Sequence, residues 1–318
     1  MPTQKEQFLR TTSFPQQDNV AVQTLDMLNL PAAASSGDFF RMRTQADSSG
    51  NVGKKESYTL KLNGKVCDNK LNGISFNEIR KLHTKSKLLC CHFNSQGELL
   101  DAAGQNMKVH IWELGNYNVN TVEGHTHHVT DVRFRPDSTV FATSSLDRTV
   151  KIWDAAKPSN PIGDIVEHAE QVMSIDFHPT KVGLLSSCDS NDEIRLWDVN
   201  RGDCKLILKG GSRQVRFQPQ LGDLLASSTE NNINIFDVKT NSIQKKLQGH
   251  IKDVRSICWD MSGNYLASAC EDIARIWPVS DGKCIYELFS SGNKFQSCTF
   301  RPGHSQVLVI SSDEFLDV

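Results

Sequence analysis

Residues 124–154 read GHTHHVTDVRFRPDSTVFATSSLDRTVKIWD and contain three short apolar runs, which include Val132, Phe141 and Ile152. The runs are separated by Pro-Asp and Leu-Asp-Arg, which are typical turn sequences. Short β-branched and aromatic segments between tight turns predict antiparallel strands. We expect a fourth strand after Asp154.

The same pattern recurs along the chain. Successive copies close at Trp112, Trp153, Trp197, Phe236 and Trp277, with spacings of 41, 44, 39 and 41 residues. Copies open with a histidine at His125, His168 and His250, and a glycine precedes the first and the last of these. Gly-His and Trp-Asp ends at this period are the signature of a WD-repeat blade. The sequence therefore predicts an all-β fold, a WD-repeat β-propeller with five readable blades and a partial sixth that begins near Leu288.

The first part of the chain lacks this period. Residues 1–73 contain Gln-rich and Ser/Gly/Ala-rich stretches that cannot bury enough apolar area to offset the entropy of ordering. We expect a disordered N-terminal segment over 1–73, with one isolated strand-like pattern at 58–62. We expect the propeller over 74–318, incomplete at its C-terminal end. Residues 74–83 are predicted to form a lead-in strand at the outside of the last blade.

Composition excludes several classes of function. The chain has 318 residues with 35 basic and 37 acidic side chains, so its formal net charge of −2 gives no bulk attraction to nucleic acid or membranes. The N-terminal MPTQKEQFLR lacks the apolar core of a secretion signal. We expect a soluble protein made in the cytosol that binds neither nucleic acid nor membranes directly.

The nine cysteines are odd in number, and Cys188, Cys258, Cys270 and Cys298 fall in predicted strands. They are expected to be buried thiols in a reducing compartment. Cys90, Cys91 and His92 could suggest a metal site, but neighbouring side chains of a strand point to opposite faces. We therefore expect no metal and no cofactor.

Polar residues recur at fixed positions of the repeat. The predicted sets of a histidine, a hydroxyl, an acid and a tryptophan are His125, Thr143, Asp147 and Trp153 in the second blade; His168, Ser187 and Trp197 in the third, with Asn191 at the acid position; and His250, Ser268, Asp272 and Trp277 in the fifth. In the first blade Ala102 and Asn106 stand at the corresponding positions, so no such set is expected there. A fully satisfied buried hydrogen-bond chain can hold the strands of a blade in order.

A hydroxyl, a histidine and an acid could also form a hydrolase triad. One active site needs one such set, whereas these sets recur in several blades and end in a tryptophan, which is not a nucleophile. We therefore predict a structural role, no catalytic residue and no enzyme.

Function in a rigid scaffold of this kind is expected in its exposed loops. The candidate partner-binding residues are His127, His128, Arg148, Glu170, Lys252, Asp253 and Phe295. The alternative for each is a solvated loop residue, since only a minority of interface residues contribute strongly to binding.

Several stretches carry a closer resemblance, namely FNEIRKLHTKSKLLCCHFNSQGELL, THHVTDVRFRPDSTVFATSSLDRTVKIWDA, SCDSNDEIRLWDVNRGDC, KGGSRQVRFQPQLGDLLASS and GNKFQSCTFRP. Together they resemble the propeller of the LEUNIG family of plant transcriptional corepressors, which are of the Groucho type. The KGGS stretch discriminates best, because it departs from the usual Gly-His opening. The resemblance covers about residues 73–310.

The resemblance implies a seven-bladed ring and a nuclear, non-catalytic scaffold for transcriptional corepression. It implies transcription factors and Mediator or histone deacetylase subunits as protein partners. The family's LisH-containing region, which holds a SEUSS-type adaptor, has no counterpart in residues 1–73, so adaptor binding is expected to be absent. The array stops one to two blades short of seven, as in a truncated form. The alternative is a WD-repeat substrate receptor of a ubiquitin ligase or an RNA-processing scaffold.

Overall fold

The computed structural model describes residues 58–62, 80–84, 86–116, 118–290, 292, 294–301, 304–312 and 316–317. Every regular element within these residues is a β-strand, which confirms the all-β prediction. The described residues contain no helix long and apolar enough to cross a bilayer. The strands are β1 Tyr58–Leu62, β2 Arg80–Thr84, β3 Leu88–Phe93, β4 Leu99–Gly104, β5 Lys108–Glu113, β6 Val119–Glu123, β7 Val129–Phe134, β8 Val140–Ser145, β9 Val150–Asp154, β10 Gly163–Ile165, β11 Val172–Phe177, β12 Leu184–Asp189, β13 Glu193–Asp198, β14 Asp203–Lys209, β15 Gln214–Phe217, β16 Leu224–Thr229, β17 Asn232–Asp237, β18 Ser242–Leu247, β19 Ser256–Trp259, β20 Tyr265–Ala269, β21 Ile273–Pro278, β22 Tyr286–Phe289, β23 Phe295–Arg301, β24 His304–Ser312 and β25 Leu316–Asp317.

From β3 onward, consecutive strands pair into antiparallel sheets, as expected of strands joined by short turns. Five sheets have four strands each, and a sixth has three, β23 to β25. We call these sheets blades 1 to 6 in chain order. The predicted five blades and partial sixth are confirmed, as is the fourth strand after Asp154, which is β10.

The lead-in segment behaves differently from the prediction. Strand β2 pairs with β1 in a separate two-stranded sheet, with Leu60 opposite Leu82, rather than with the last blade. The expectation of an outer strand for the last blade is therefore wrong for residues 80–84. The strand-like pattern at 58–62 does form a strand, so the predicted boundary at 73/74 separates two paired strands. The remaining residues of 1–73, and residues 74–79, lie outside the described part of the chain.

Apolar side chains fill the space between neighbouring blades. Because side chains alternate along a strand, each blade has one face toward the blade before it and one toward the blade after it. Ile111 of blade 1 packs in one cluster with Phe141 and Trp153 of blade 2, whose rings stack at a centroid distance of 6.2 Å. Equivalent clusters join blades 2 and 3, 3 and 4, 4 and 5, and 5 and 6.

The first strand of each blade lies at the centre of the assembly and lines a channel. Side chains from one blade accept hydrogen bonds from the main-chain N–H groups of the next inner strand, which satisfies donors outside the sheet ladders. The acceptors and donors are His92 Nδ1 with Phe134 N (3.1 Å), Asp176 Oδ2 with Phe217 N (2.7 Å), Gln214 Oε1 with Ile257 N (2.8 Å) and Ser256 Oγ with Cys298 N (3.2 Å). Polar residues inside otherwise apolar strands therefore connect the blades.

Candidate functional site

The predicted polar set of blade 2 comes together in full. His125 Nδ1 lies 2.8 Å from Asp147 Oδ2 and His125 Nε2 lies 2.7 Å from Thr143 Oγ1. The indole N–H of Trp153 donates to the same hydroxyl at 2.8 Å. Burial alone would raise the pKa of Asp147, but hydrogen bonds from His125 and Thr149 hold that pKa well below its usual value. The set is a buried hydrogen-bond chain that links the segment before β7 to β8, to β9 and to the turn between these two strands.

Blade 3 uses a different acid from the one predicted. His168 contacts Ser187 at 2.6 Å, and Trp197 donates to Ser187 at 2.8 Å, as expected. The carboxylate beside His168 Nδ1 belongs to Asp189, at 3.1 Å, and the expectation for Asn191 is wrong. Asp189 ends strand β12 and also accepts from the main-chain N–H of Asn191 at 3.0 Å, so the turn itself folds around this carboxylate.

Blade 5 lacks the acid contact. His250 Nε2 lies 2.7 Å from Ser268 Oγ, and Trp277 donates to that hydroxyl at 2.8 Å. His250 Nδ1 is buried without a hydrogen-bond partner among the described residues, so Asp272 does not complete the set as predicted. Asp272 instead pairs with Lys252 at 3.1 Å. The turn between β20 and β21 is one residue shorter than the corresponding turn of blade 2, which displaces this acid. Burial and the charge of Arg275 lower the pKa of His250 to about 4.

In blade 4 a main-chain carbonyl replaces the histidine. Ser227 Oγ and Asn234 Nδ2 both donate to the carbonyl oxygen of Gly210, the amide at 2.8 Å. Gly210 has a φ of +121°, and a Cβ there would lie 2.7 Å from Asn234 Nδ2. At Gly211 a Cβ would lie 2.7 Å from Ile194 Cδ1. The Gly-Gly opening is therefore required by close packing.

In blade 1, where no polar set was expected, His110 supplies local contacts. Its ring nitrogens lie 3.3 Å from Asn106 Nδ2 and 3.3 Å from Thr121 Oγ1. These contacts join β5 to the turn before it and to β6. Ala102 leaves no hydroxyl for Trp112 at the position that Thr143 occupies in blade 2.

The geometry favours the structural role over a hydrolase. The three hydroxyls, Thr143, Ser187 and Ser268, have no exposed surface, and each contacts both a histidine and a tryptophan N–H. A nucleophile in this position could not reach a substrate.

His168, Asp189 and Glu193 also bring three potential metal ligands within 4.8 Å of one another. Both nitrogens of His168 are already in hydrogen-bond contacts, and Glu193 pairs with Arg195 at 2.6 Å and with Lys209 at 3.3 Å. The cluster is therefore accounted for by protein contacts. The Cys90-Cys91-His92 run does not converge either, because Cys91 is buried in the core and His92 Nδ1 accepts from Phe134.

The face of the propeller at which the inner strands begin, which we call the upper face, carries most of the predicted partner-binding residues. His127, Glu170, Lys252 and Asp253 are exposed in the loops before inner strands, and His128 is half-buried against His127. Arg148 is exposed in the turn between β8 and β9. Phe295 is only 2% exposed and packs in the core between blades 5 and 6, so its predicted role in partner binding is wrong.

One residue from each inner strand forms a ring across the channel. This channel ring consists of His92, Arg133, Asp176, Arg216, Cys258 and Thr299, each one position before the aromatic residue near the lower end of its strand. Burial raises the pKa of Asp176 to about 6, although Arg216 and Arg133 oppose this shift. Burial, with the charge of Arg216, lowers the pKa of His92 to about 3.

The channel ring divides the channel into two cavities. The upper cavity has a volume of about 760 Å³ and opens at the upper face, whereas the lower one has only about 60 Å³. Arg133 and Arg216 line both cavities and so form the floor of the upper one. Arg216 Nη1 donates to Asp131 Oδ2 at 3.1 Å and to Ser174 Oγ at 2.8 Å, which fixes its position.

Comparison with known proteins agrees with this architecture. The family described as WD domain, G-beta repeat matches residues 116–154, 159–198 and 241–278. Each segment covers the last strand of one blade and the first three strands of the next, which is blade 2, 3 or 5. These are the blades in which a hydroxyl joins a histidine to a tryptophan. The chain is also 46% identical over 263 residues to the transcriptional corepressor LEUNIG_HOMOLOG of Arabidopsis thaliana, which covers 82% of this chain. The chain is a WD-repeat protein of the LEUNIG type.

The aligned part is 33% of LEUNIG_HOMOLOG, so this LEUNIG-type chain spans about a third of that relative's length. More distant relatives also align with this chain. Pre-mRNA-processing factor 19 of Oryza sativa subsp. japonica is 29% identical over 50% of this chain and 31% of its own length. Nuclear distribution protein nudF of Aspergillus niger is 28% identical over 86% of this chain and 62% of its own length.

Sequence reasoning missed the channel residues of this LEUNIG-type propeller. The available signal was a charged residue inside an otherwise apolar strand, as in Val-Arg-Phe at 132–134, Ile-Asp-Phe at 175–177 and Val-Arg-Phe at 215–217. Such residues are seldom buried unless they are paired, so their recurrence one position before an aromatic residue indicates a shared polar environment.

Proposed function

We propose that this chain is a non-catalytic protein-interaction scaffold that acts in transcriptional corepression in the nucleus. The observation that carries the proposal is the 46% identity to a transcriptional corepressor over most of this chain. The buried position of its recurrent Ser/Thr and His residues supports the non-catalytic part, because those groups hold the blades together.

The upper face is the proposed contact surface. Lys252 and Asp253 stand at the mouth of the upper cavity, while His127, His128, Arg148 and Glu170 lie on the loops of blades 2 and 3. Arg148 Nη1 lies 3.5 Å from the carbonyl oxygen of Ala169, which ties its turn to the next blade. Asp253 pairs with Arg213 at 3.1 Å and Lys252 with Asp272, so a partner would meet charges whose positions are already set.

The partners that the LEUNIG resemblance implies are transcription factors and subunits of Mediator or histone deacetylase complexes. Affinity capture from plant nuclear extract with the full chain as bait tests this proposal. We expect deacetylase or Mediator subunits in the captured fraction, identified by mass spectrometry. Capture of cullin adaptors or spliceosomal proteins in their place would favour the alternative roles and overturn the proposal.

The contact surface is tested with two variants and one control. We expect His127→Ala combined with His128→Ala, and separately Lys252→Glu, to reduce capture by about tenfold, a loss of about 1.4 kcal/mol in binding. Lys239→Glu is the matched control, because Lys239 is 70% exposed in the turn after β17 and does not line the upper cavity. Equal capture by all three variants would show that the partners bind elsewhere.

A further inference from the structure

Two cysteines of neighbouring blades contact each other beside the channel. Cys258 lies on β19, the inner strand of blade 5, and Cys298 lies on β23, the inner strand of blade 6. The Cys258 thiol lies 3.9 Å from Cys298 Sγ, and each residue is only 2% exposed. Both are free thiols, 40 residues apart in the sequence. The contact therefore places two oxidisable sulfur atoms across the interface between two blades.

The surroundings hold the two sulfur atoms near each other. The main-chain N–H of Cys298 donates to Ser256 Oγ at 3.2 Å, and Cys298 Sγ lies 3.7 Å from the carbonyl oxygen of Ser256. Both cysteines also belong to the apolar cluster between blades 5 and 6, which includes Ile276 and Phe300. Because such interiors are close-packed, the two inner strands have little room to move apart.

This arrangement suits a disulfide between the blades. The sulfur atoms of a disulfide are about 2.05 Å apart, so Cys258 and Cys298 have to approach each other by about 2 Å from their present distance. Rotation about the two Cα–Cβ bonds moves the sulfur atoms toward each other. The reaction removes two hydrogen atoms and adds none, so it does not overpack the core.

The channel gives a small oxidant access to the pair. Cys298 lines the upper cavity, which has a volume of about 760 Å³ and opens at the upper face. Cys258 lines the lower cavity, which has only about 60 Å³. A molecule of hydrogen peroxide fits easily into the upper cavity. Cys298 is therefore the sulfur that meets the oxidant first, with Cys258 beside it.

We propose that Cys258 and Cys298 are a redox pair, which hydrogen peroxide converts into a disulfide that joins blade 5 to blade 6. Cys298 sulfur attacks one peroxide oxygen, the O–O bond breaks, and the sulfur is oxidised to a sulfenic acid while the departing hydroxide takes the thiol proton and becomes water. Cys258 sulfur then attacks this sulfur. The S–S bond forms, the S–O bond breaks, and the second hydroxide takes the second thiol proton. Two thiols and one peroxide give one disulfide and two waters.

The surroundings also determine how fast the pair reacts. Burial raises the pKa of the Cys258 thiol well above its ordinary value, and the contact with Cys298 adds to this effect. Because the thiolate is the nucleophile, we expect oxidation to take minutes to hours rather than seconds. Gln296 and Ser297 line the upper cavity next to Cys298, so the disulfide restricts this part of the cavity wall. The inference does not depend on the proposed corepressor role.

The test uses the purified, reduced full chain and hydrogen peroxide. After treatment, remaining thiols are blocked with N-ethylmaleimide, and the chain is digested and analysed by mass spectrometry without reduction. We expect a linked peptide pair that contains Cys258 and Cys298 and that disappears on treatment with dithiothreitol. Because the disulfide closes a loop of 40 residues, the melting temperature should rise by about 5 °C and return on reduction.

Variants assign the effect to this pair. Cys258→Ser and Cys298→Ser should each abolish both the linked peptides and the rise in melting temperature. Cys284→Ser is the matched control, because Cys284 lies in blade 5 but its thiol contacts the carbonyl oxygen of Tyr286 within the same blade. This control should keep both effects. The peptide analysis needs only the wild-type chain, so it decides the question even where a serine variant does not fold.

Three results would overturn the inference. The first is a wild-type chain in which Cys258 and Cys298 both remain blocked by N-ethylmaleimide after prolonged treatment with peroxide. The second is linkage of Cys258 or Cys298 to other cysteines in equal amounts, which would indicate oxidation of an unfolded chain. The third is conversion of Cys298 to a sulfinic acid without a linked peptide, which would show that the oxidant reaches this sulfur but that Cys258 does not.

Discussion

Arg216 on β15 donates a hydrogen bond from Nη1 to Oδ2 of Asp131 on β7, at 3.1 Å, across 85 residues of sequence. The bond joins blade 4 to blade 2, and Ser174 of the intervening blade 3 donates to the same carboxylate oxygen at 2.7 Å. Both charged side chains are almost fully buried, at 5% and 8% exposure. Three blades are therefore fixed by one buried ionic group.

Removing Arg216 leaves two buried carboxylates, Asp131 and Asp176, with only Arg133 to compensate them. We expect Arg216→Met to lower the free energy of unfolding by about 3 to 5 kcal/mol, measured by urea denaturation. Arg213→Met is the control, since Arg213 is 48% exposed, and its loss should cost less than about 1 kcal/mol. Adding Asp131→Asn to Arg216→Met should recover part of the loss. A single-variant cost below 1 kcal/mol would contradict the proposed importance of the pair.

The acids of blades 2 and 5 have the same spacing from the hydroxyl but different surroundings. Asp147→Ala removes a contact to buried His125, so we expect a loss of about 1 to 3 kcal/mol in unfolding free energy. Asp272→Ala removes a half-exposed pair with Lys252 and a weak hydrogen bond from the Cys270 thiol, so we expect a loss below about 1 kcal/mol. Thermal and urea denaturation of both variants give the comparison. Similar losses would mean that Asp272 does support His250.

The glycine opening of blade 4 can be tested with one methyl group. Gly211→Ala places a Cβ within 3.0 Å of Ile194 and Ser227, so overpacking should cost about 1 to 3 kcal/mol. Gly115→Ala is the matched control, because a Cβ at Gly115 meets no atom within 4 Å and should change stability by less than about 0.5 kcal/mol. Chemical denaturation of the two variants measures both changes in the free energy of unfolding. Equal stability would show that Ile194 moves aside.

Asp101 is a buried carboxyl without a hydrogen-bond partner among the described residues. Burial raises its pKa well above the usual value, so the folded chain holds a proton there that the unfolded chain releases above about pH 4. This group therefore destabilises the fold increasingly as pH rises from about 4 toward its folded-state pKa. Blades 2, 4 and 5 have Ala142, Ala226 and Ala267 at the corresponding position.

We expect Asp101→Ala to raise the free energy of unfolding by about 1 to 3 kcal/mol at pH 7. The gain should shrink near pH 4, where the unfolded chain is itself about half protonated at this position. Urea denaturation at both pH values measures the difference. Asp203→Ala, at an exposed position of β14, should change little at either pH. A gain at pH 4 equal to that at pH 7 would contradict the assignment of a neutral carboxyl.

The repeat could be predicted from the sequence, but only part of the candidate site could. The spacing of Trp153, Trp197 and Trp277 reports the strand order directly, because each closes a blade in the same register. The position of the acid within the turn decides whether it reaches a histidine. Blade 3 uses Asp189, two residues after Ser187. Blade 5 has an equally short turn but carries Cys270 at that position, and Asp272 does not reach His250. Phe295 begins strand β23 instead of ending a loop, so a shift of a single position buried it.

The channel was harder to predict because its contacts join blades that are distant in sequence. No local period relates Arg216 to Asp131, since they meet only after blade 3 is placed between them. A charged residue in an apolar strand signalled a buried polar environment, but the identity of its partner depends on how inner strands are arranged around the channel.

The carbonyl oxygen of Gly210 accepts hydrogen bonds that hold blade 4 together and that do not depend on pH. Histidine rings accept a second proton in weakly acidic solution, and burial opposes this at His168 and His250, whose pKa values are lowered, so acid strains blades 3 and 5. An amide and a hydroxyl donating to a peptide oxygen contain no group that titrates between pH 4 and 8. On acidification, blade 4 should therefore keep its hydrogen bonds to the Gly210 carbonyl, while the histidine contacts of blades 3 and 5 weaken.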